Sequence, residues 1–269
     1  MARRPPARTG SDLGARVVIA LPAIAYAIFI VAAGGWVFAI GVAVFGLICL
    51  HELFSMYERA HPVKLAGFAA VIGLAAGAQG GSERQVLLAL VAFVALMFLL
   101  VLAMPHGGTP GMSLTVFGVV WIGLAIAHAV LLRKLPHGDG IVVDVLVGTF
   151  VGDTGAYLGG RSFGTRPLAA RVSPNKTVEG LLIGIVVAVV ATWAAGLYQD
   201  WLSGGDALLL GLAVALAAPL GDLFESQVKR DARIKDAGRL FGAHGGALDR
   251  LDAALFTLVA GYYVWLALS

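Results

Sequence analysis

The sequence predicts an all-α, polytopic integral membrane protein, and three observations predict it. Of 269 residues, 59% are hydrophobic and only 13% are charged, with a mean hydropathy of +0.89. Such a chain has too little polar surface to cover a soluble globule. Apolar runs of about 20 residues, the length that crosses a hydrocarbon core as helix, recur from end to end. The runs are uninterrupted rather than alternating, which excludes the pattern of a membrane barrel, and only a helix lets each segment satisfy its own backbone in lipid.

Windows of this kind lie near 17–33, 36–56, 64–79, 86–104, 112–132, 141–160, 178–197, 207–224 and 251–268, so about nine transmembrane helices are expected. The first window follows Arg3, Arg4, Arg8 and Arg16 and contains an Ala-x-Ala at Ala23 to Ala25, so a cleaved signal peptide competes with a retained helix. The apolar run continues well past that point, which favours retention, with the arginines as a cytoplasmic anchor. Only Gly34-Gly35 separates the first two windows, so a tight helical hairpin is expected there. His51, Glu52, Glu58, Arg59, His61 and Lys64 read as a solvated cytoplasmic loop. Gly73 and Gly77, at helical spacing, suit close packing within the protein or between the protomers of a homodimer. The single cysteine, Cys49, excludes an intrachain disulfide.

Charge sets the orientation. Loop 161–176 carries Arg161, Arg166, Arg171 and Lys176 with no acid, and loop 225–250 carries Lys229, Arg230, Arg233, Lys235, Arg239 and Arg250. Loop 198–206 between them has only Asp200 and Asp206. Both basic loops are therefore expected to face the cytoplasm, in a multi-pass protein of the cell membrane. Arg133 and Lys134 fall on the wrong side in this count. One integrated membrane domain is expected, with 1–135 supplying scaffold or lipid-facing helices and 136–269, which carries the two basic loops, the functional region, its site at the cytoplasmic membrane edge.

Carboxylates at membrane depth are costly and are usually retained for function. Asp144 and Asp153 lie in the sixth window, Glu179 opens the seventh, Asp222 closes the eighth, and Asp249 and Asp252 precede or open the ninth. A plain helix-to-helix hydrogen bond is expected for Asp144. Asp222, Ser226 and Lys229 stand at i, i+4 and i+7, one face of a helix. Pro219 frees a carbonyl just upstream and Gly221 permits a close approach, so a kink should turn that face into a cavity. Few hard oxygen ligands, completed by phosphate and water, suit Mg²⁺. Asp222 and Asp249 are the expected metal ligands, with Asp252 and Asp153 as second choices.

Gly242, Gly245 and Gly246 let backbone N–H groups approach phosphate oxygens, although an interfacial turn explains them as well. His244 bonds a phosphate or caps a helix. Ser173-Pro174, Lys176-Thr177 and Glu179 read as a helix start, with Ser173 or Thr177 as cap, and such an N-terminus can hold an anion.

Ser226 to Asp252, SQVKRDARIKDAGRLFGAHGGALDRLD, resembles the signature of the phosphatidate cytidylyltransferases (CDP-diacylglycerol synthases). Ser226, Lys229-Arg230, Lys235-Asp236, His244-Gly245-Gly246, Asp249-Arg250 and Asp252 match it, while Ala247 stands where the family usually has a larger aliphatic residue. Residues 152–180 resemble the family's other block at Asp153, Gly155, Ala156, Tyr157, Gly160, Arg161, Phe163, Gly164, Ser173-Pro174, Lys176-Thr177 and Glu179-Gly180. Thr165-Arg166 replaces a frequent lysine, with Arg166 as its substitute.

The resemblance implies a nucleotidyltransferase that joins CTP and phosphatidic acid into CDP-diacylglycerol with loss of pyrophosphate. Its cofactor is expected to be Mg²⁺, with a second, monovalent cation left open. Asp222, Asp249, Lys229, Arg230 and Lys176 are the catalytic candidates. Ser173, Lys176, Thr177, Arg161, Ser226, Lys229, Arg230, Lys235, Asp236, His244, Gly245, Gly246 and Arg250 are the candidates for substrate binding. The expected partners are CTP, phosphatidic acid and membrane lipid, and no nucleic acid. Two alternatives stay open. One is a CTP-dependent transferase acting on another lipid phosphate, such as an archaeol or polyprenol relative. The other is an ion-coupled transporter using Asp144, Asp153 and Asp222, which should repeat a pair of broken helices in both halves, whereas charged motifs here occupy the C-terminal half alone. The spaced aspartates of the CDP-alcohol phosphatidyltransferases are not found.

Overall fold

A computed structural model describes residue 22 and residues 24–104, 108–238 and 245–269. The basic start of the chain, the Ala-x-Ala position Ala23, Arg239, Gly242 and His244 lie outside the described residues. Apolar helix occupies every window: α1 (Ile24–Ala33), α2 (Gly35–Met56), α3 (Lys64–Gly80), α4 (Glu83–Ala103), α5 (Thr109–Gly118), α6 (Leu124–Lys134), α7 (Gly138–Phe163), α8 (Val178–Gly196), α9 (Gly204–Asp231) and α10 (Leu248–Leu268). A π-helical turn at Val119–Gly123 joins α5 to α6 in one span. Seven described helices are long and apolar enough to cross a membrane, and α1 and α3 are shorter. The all-α class holds with one addition. Within the expected loop 161–176, β1 (Pro167–Ala169) and β2 (Ser173–Thr177) form an antiparallel hairpin, with Pro167 opposite Thr177.

Both Gly34 and Gly35 adopt left-handed φ, 63° and 52°, which lets α1 fold back on α2. Tyr26 then packs edge-on against Phe45, ring centroids 5.4 Å apart. Small residues set the other close contacts. A Cβ at Gly155 or Gly159 of α7 would lie 2.7 Å from Val187 or Ile183 of α8, so the two helices touch almost backbone to backbone. Gly77 faces the Gln85 backbone across α3 and α4, so that small-residue pair is used within the chain. Helix α9 runs through Pro219 without interruption.

The ends of the bundle differ in character. At one end Tyr57, just past α2, lies 2.9 Å from both the Val228 carbonyl and the Asp231 carboxylate at the end of α9. Burial and the neighbouring carboxylate push the Tyr57 hydroxyl upward in pKa, which keeps it a donor. Arg230 donates to the Val172 carbonyl in the hairpin turn, 3.1 Å. At the other end Gln199 donates both ways to Asp144 at 3.0 and 2.9 Å, and Trp265 donates to the Pro136 carbonyl at 2.8 Å. The two basic segments thus share one end, and the acidic 198–206 turn belongs to the opposite one.

Arg133 and Lys134 sit at that opposite end for a local reason. Lys134 donates to the carbonyls of Ala78, Gln79 and Gly81, and Arg133 donates to the Val31 carbonyl. They neutralise the exposed C-terminal carbonyls of α3 and α1, where a helix favours positive charge.

Candidate active site

At the basic end, α9 meets α10 through Gly221. A Cβ there would lie 3.0 Å from the Ala253 Cα and would collide with the Asp252 carbonyl. Glycine therefore permits a backbone approach that brings Asp222 beside Asp252. Asp153 joins them from α7: the three carboxylates interact electrostatically, and Lys176 is in reach of Asp153. Lys176, near the end of β2, forms an ion pair with Asp222.

Lys229 occupies the centre of a second group. Its ammonium lies 2.5 Å from Glu225 and 2.7 Å from Asp249 Oδ1. Glu225 is only 1% exposed, and its Oε1 is buried without a donor among the described residues. Asp249 is anchored through one oxygen, because its Oδ2 accepts the Ala237 amide at 2.9 Å and the Gly246 amide at 2.6 Å, while Oδ1 faces Lys229. Gly245 adopts φ +81°, and a Cβ on it would stand 2.5 Å from the same oxygen. The Gly245-Gly246 turn is thus fitted around carboxylates of the protein, and the Gly246 amide is committed to Asp249.

The remaining sequence candidates fall around this centre. Ser226 is half-buried on α9, while Lys235, Asp236, Arg230 and Arg250 are exposed beside it. Arg161 is exposed, 3.4 Å from the Tyr157 hydroxyl, a loose contact. Thr177 caps α8 by accepting the Gly180 amide at 3.1 Å. Ser173 is four residues too early for that role and lies in β2. Glu179 accepts from the Thr165 amide and hydroxyl and pairs with Arg166 at 3.0 Å, so Arg166 is tied to a protein carboxylate. His244 lies outside the described residues. Asp144 makes the ordinary polar contact expected of it, although with a loop glutamine.

Two acids join the site that the motif reading left out. Glu225 was legible, three residues from Asp222 and four from Lys229 on one helical face. Glu52 is the larger correction. Instead of lying in a solvated loop it is 6% exposed within α2, where it accepts the amides of Ala247 at 3.0 Å and Leu248 at 2.8 Å. The signal for it was the one applied elsewhere, a carboxylate inside an apolar window.

All candidate ligands are hard oxygens, and lysine ammoniums already stand against Asp222 and Asp249 where a metal cation would be electrostatically equivalent. The Glu225 oxygen without a donor adds an open acceptor beside them. Among the described residues no three acidic, histidine or cysteine side chains converge as a ready-made cage. The donor set therefore fits Mg²⁺, which is commonly held by one or two carboxylates and completed by water and substrate phosphate.

Comparison with known proteins agrees with this chemistry. The profile described as "Cytidylyltransferase family" matches residues 14–268. A phosphatidate cytidylyltransferase of Mycobacterium bovis is 32% identical over 96% of this chain and 89% of its own length. One from Bacillus subtilis is 31% identical over 94% of this chain and 97% of its own. One from Helicobacter pylori is 46% identical over 43% of each. With the profile and full-length relatives both spanning nearly all of it, the chain belongs to the cytidylyltransferase family and is a nucleotidyltransferase of the membrane.

Proposed function

We propose that the protein is a phosphatidate cytidylyltransferase, converting CTP and phosphatidate to CDP-diacylglycerol and pyrophosphate at the cytoplasmic face of the cell membrane. One observation carries the reading beyond family membership. Two segments far apart in sequence, the hairpin with Lys176 and the α9–α10 junction, are drawn into one group of cations and carboxylates by the Lys176 to Asp222 and Arg230 to Val172 contacts. A triphosphate and a lipid phosphate need that mixture, positive charge for the anions and carboxylates for a bridging metal.

An oxygen of the lipid phosphate attacks the α-phosphorus of CTP, forming one P–O bond while the bond from that phosphorus to the bridging oxygen breaks. The electron pair leaves with pyrophosphate. The nucleophile is already anionic near neutral pH, so the residues position groups and stabilise charge rather than activate a hydroxyl. Lys176, Lys229 and the exposed Arg230 hold phosphate oxygens, arginine as the bidentate partner and lysine as the compact charge. Asp222 and Asp249 would hold Mg²⁺, with Asp153 and Asp252 beside them. When bound, that ion supplies a Lewis acid for the phosphate oxygens.

The lipid's chains have an apolar wall to follow out of the site. Leu220 and Phe224 on the other side of α9 from Asp222, and Tyr157 and Leu158 about one turn beyond Asp153 on α7, are exposed apolar side chains on the bundle surface. The test is a purified-protein assay with CTP and phosphatidic acid, with and without EDTA. CDP-diacylglycerol and pyrophosphate should form in equal amounts and cease with EDTA. Turnover of a different lipid phosphate, with none of phosphatidic acid, would replace this reading.

A further inference from the structure

Glu52 belongs to the N-terminal half, which carries neither motif block, yet its carboxylate sits at the neck of the loop between α9 and α10. Its two oxygens accept the amides of Ala247 and Leu248, 3.0 and 2.8 Å. On the near side of the neck a Cβ at Gly238 would collide with Oε1 and lie 2.7 Å from the Glu52 Cδ. On the far side a Cβ at Gly246 would collide with Oε2 and lie 2.5 Å from the same carbon. Both arms therefore close on this one carboxylate. Asp249 grips the neck from the other side, through the amides of Ala237 and Gly246.

Burying a carboxylate at 6% exposure is costly, and here two amides at the positive start of α10 compensate for it. That choice has a consequence for chemistry. The first free amides of α10 are taken by protein carboxylate, so this helix start is not where substrate phosphate binds. What Glu52 fixes instead is the position of Asp249, and through it Lys229.

We propose that Glu52 is a positioning residue for the nucleotide half of the site: it pins the neck between Gly238 and Leu248 so that Asp249 and Lys229 meet CTP phosphates and metal in a fixed geometry. This rests on the reading of that junction as the CTP site. The carboxylate touches no substrate and moves no proton.

The test is steady-state kinetics on Glu52→Gln and Gly238→Ala with CTP and phosphatidic acid varied in turn, in detergent, with Arg230→Ala as reference. Glutamine keeps the size but replaces one acceptor oxygen with a donor that faces an amide. The Gly238→Ala methyl displaces the same carboxylate from the loop side, and its close neighbours are all atoms of Glu52. Each variant should raise KM for CTP about tenfold, the scale of one charged hydrogen bond, and leave KM for phosphatidic acid within about twofold. Hydrogen exchange at Ala247 and Leu248 should accelerate while the rest of α10 keeps its protection. A purely structural role predicts the opposite split, a kcat that falls with the fraction of folded protein and two unchanged KM values. If KM for CTP is unmoved in both variants while Arg230→Ala raises it, Glu52 is not a positioning residue and the nucleotide reading survives. If Arg230→Ala leaves it unmoved as well, the nucleotide reading fails and takes this inference with it.

Discussion

Lys229 shows how closely folding and chemistry are joined at single residues. Its ammonium is shared between Glu225 and Asp249, so Lys229→Ala removes the proposed phosphate contact and also takes away the ammonium beside a carboxyl group of 1% exposure. Arg230 is exposed and donates to a carbonyl of the hairpin turn, so Arg230→Ala should affect kinetics with little loss of stability. Each charged hydrogen bond is worth on the order of 1.5–3 kcal/mol, so activity at limiting CTP should fall roughly tenfold to a hundredfold in both variants. Only Lys229→Ala should also lower the thermal midpoint, and full activity of both at every CTP concentration would reduce these residues to a solvated basic surface. For Asp222→Asn and Asp249→Asn the expected result is loss of Mg²⁺-dependent turnover together with loss of Mn²⁺ binding followed by electron paramagnetic resonance. Retained Mn²⁺ affinity in both would move the metal to Asp153 and Asp252. The motif residues were legible because their types and spacing specify ionic chemistry. Glu52 was not read as part of the site because it was grouped with the charges that follow its apolar window, and only the fold reveals which amides it meets, whereas Glu225 could be placed from its spacing to Asp222 and Lys229.

At the scale of elements, helix positions were legible because a membrane demands about 20 apolar residues per crossing, a length that hydropathy reads directly. The hairpin was not, since strands of three and five residues containing Pro167 and Pro174 carry no alternating pattern and gain their pairing from the helices that bracket them. The glycines were half legible: their spacing suggested packing, while the partner of each depended on the fold. Gly159 makes a test of that packing. A methyl there would meet Ile183 at 2.7 Å, so Gly159→Val should cost about 1–3 kcal/mol by overpacking and lower the thermal midpoint in detergent. Gly221→Ala acts differently, because its methyl would collide with the Asp252 backbone and spread α9 from α10 at the carboxylates. Activity should fall more steeply than stability, and an active, wild-type-like Gly221→Ala enzyme would show that this approach does not set the site. Thr177→Ala removes the α8 cap and should cost about 1 kcal/mol, visible as a lower thermal midpoint.

For the whole molecule, the open question from charge alone was Arg133-Lys134, which contradicts an otherwise consistent placement of basic loops. Their hydrogen bonds answer it: Lys134 reaches three carbonyls at the end of α3 and Arg133 one at the end of α1, so they complete helix ends at the face where Asp200 and Asp206 lie. Charge absorbed in this way is a cap, which leaves the basic loops at the opposite end as the signal for the proposed orientation. The consequence is a labelling pattern. Ala170, in the hairpin turn, and Asp200, in the turn before α9, are both exposed at opposite ends of the bundle, and Cys49 is buried. In a Cys49→Ala background, Ala170→Cys should resist a membrane-impermeant maleimide in intact cells and react once the cells are opened, while Asp200→Cys should react in both. Lys134→Gln should keep that pattern and cost about 1 kcal/mol of stability, since it loses charged bonds to carbonyls without carrying the topological signal. Were Ala170→Cys labelled in intact cells, the nucleotide site would face away from the cytoplasmic CTP pool and the proposed reaction would lose its substrate. Were Lys134→Gln to reverse the pattern, the lysine would be a topological determinant and its hydrogen bonds incidental.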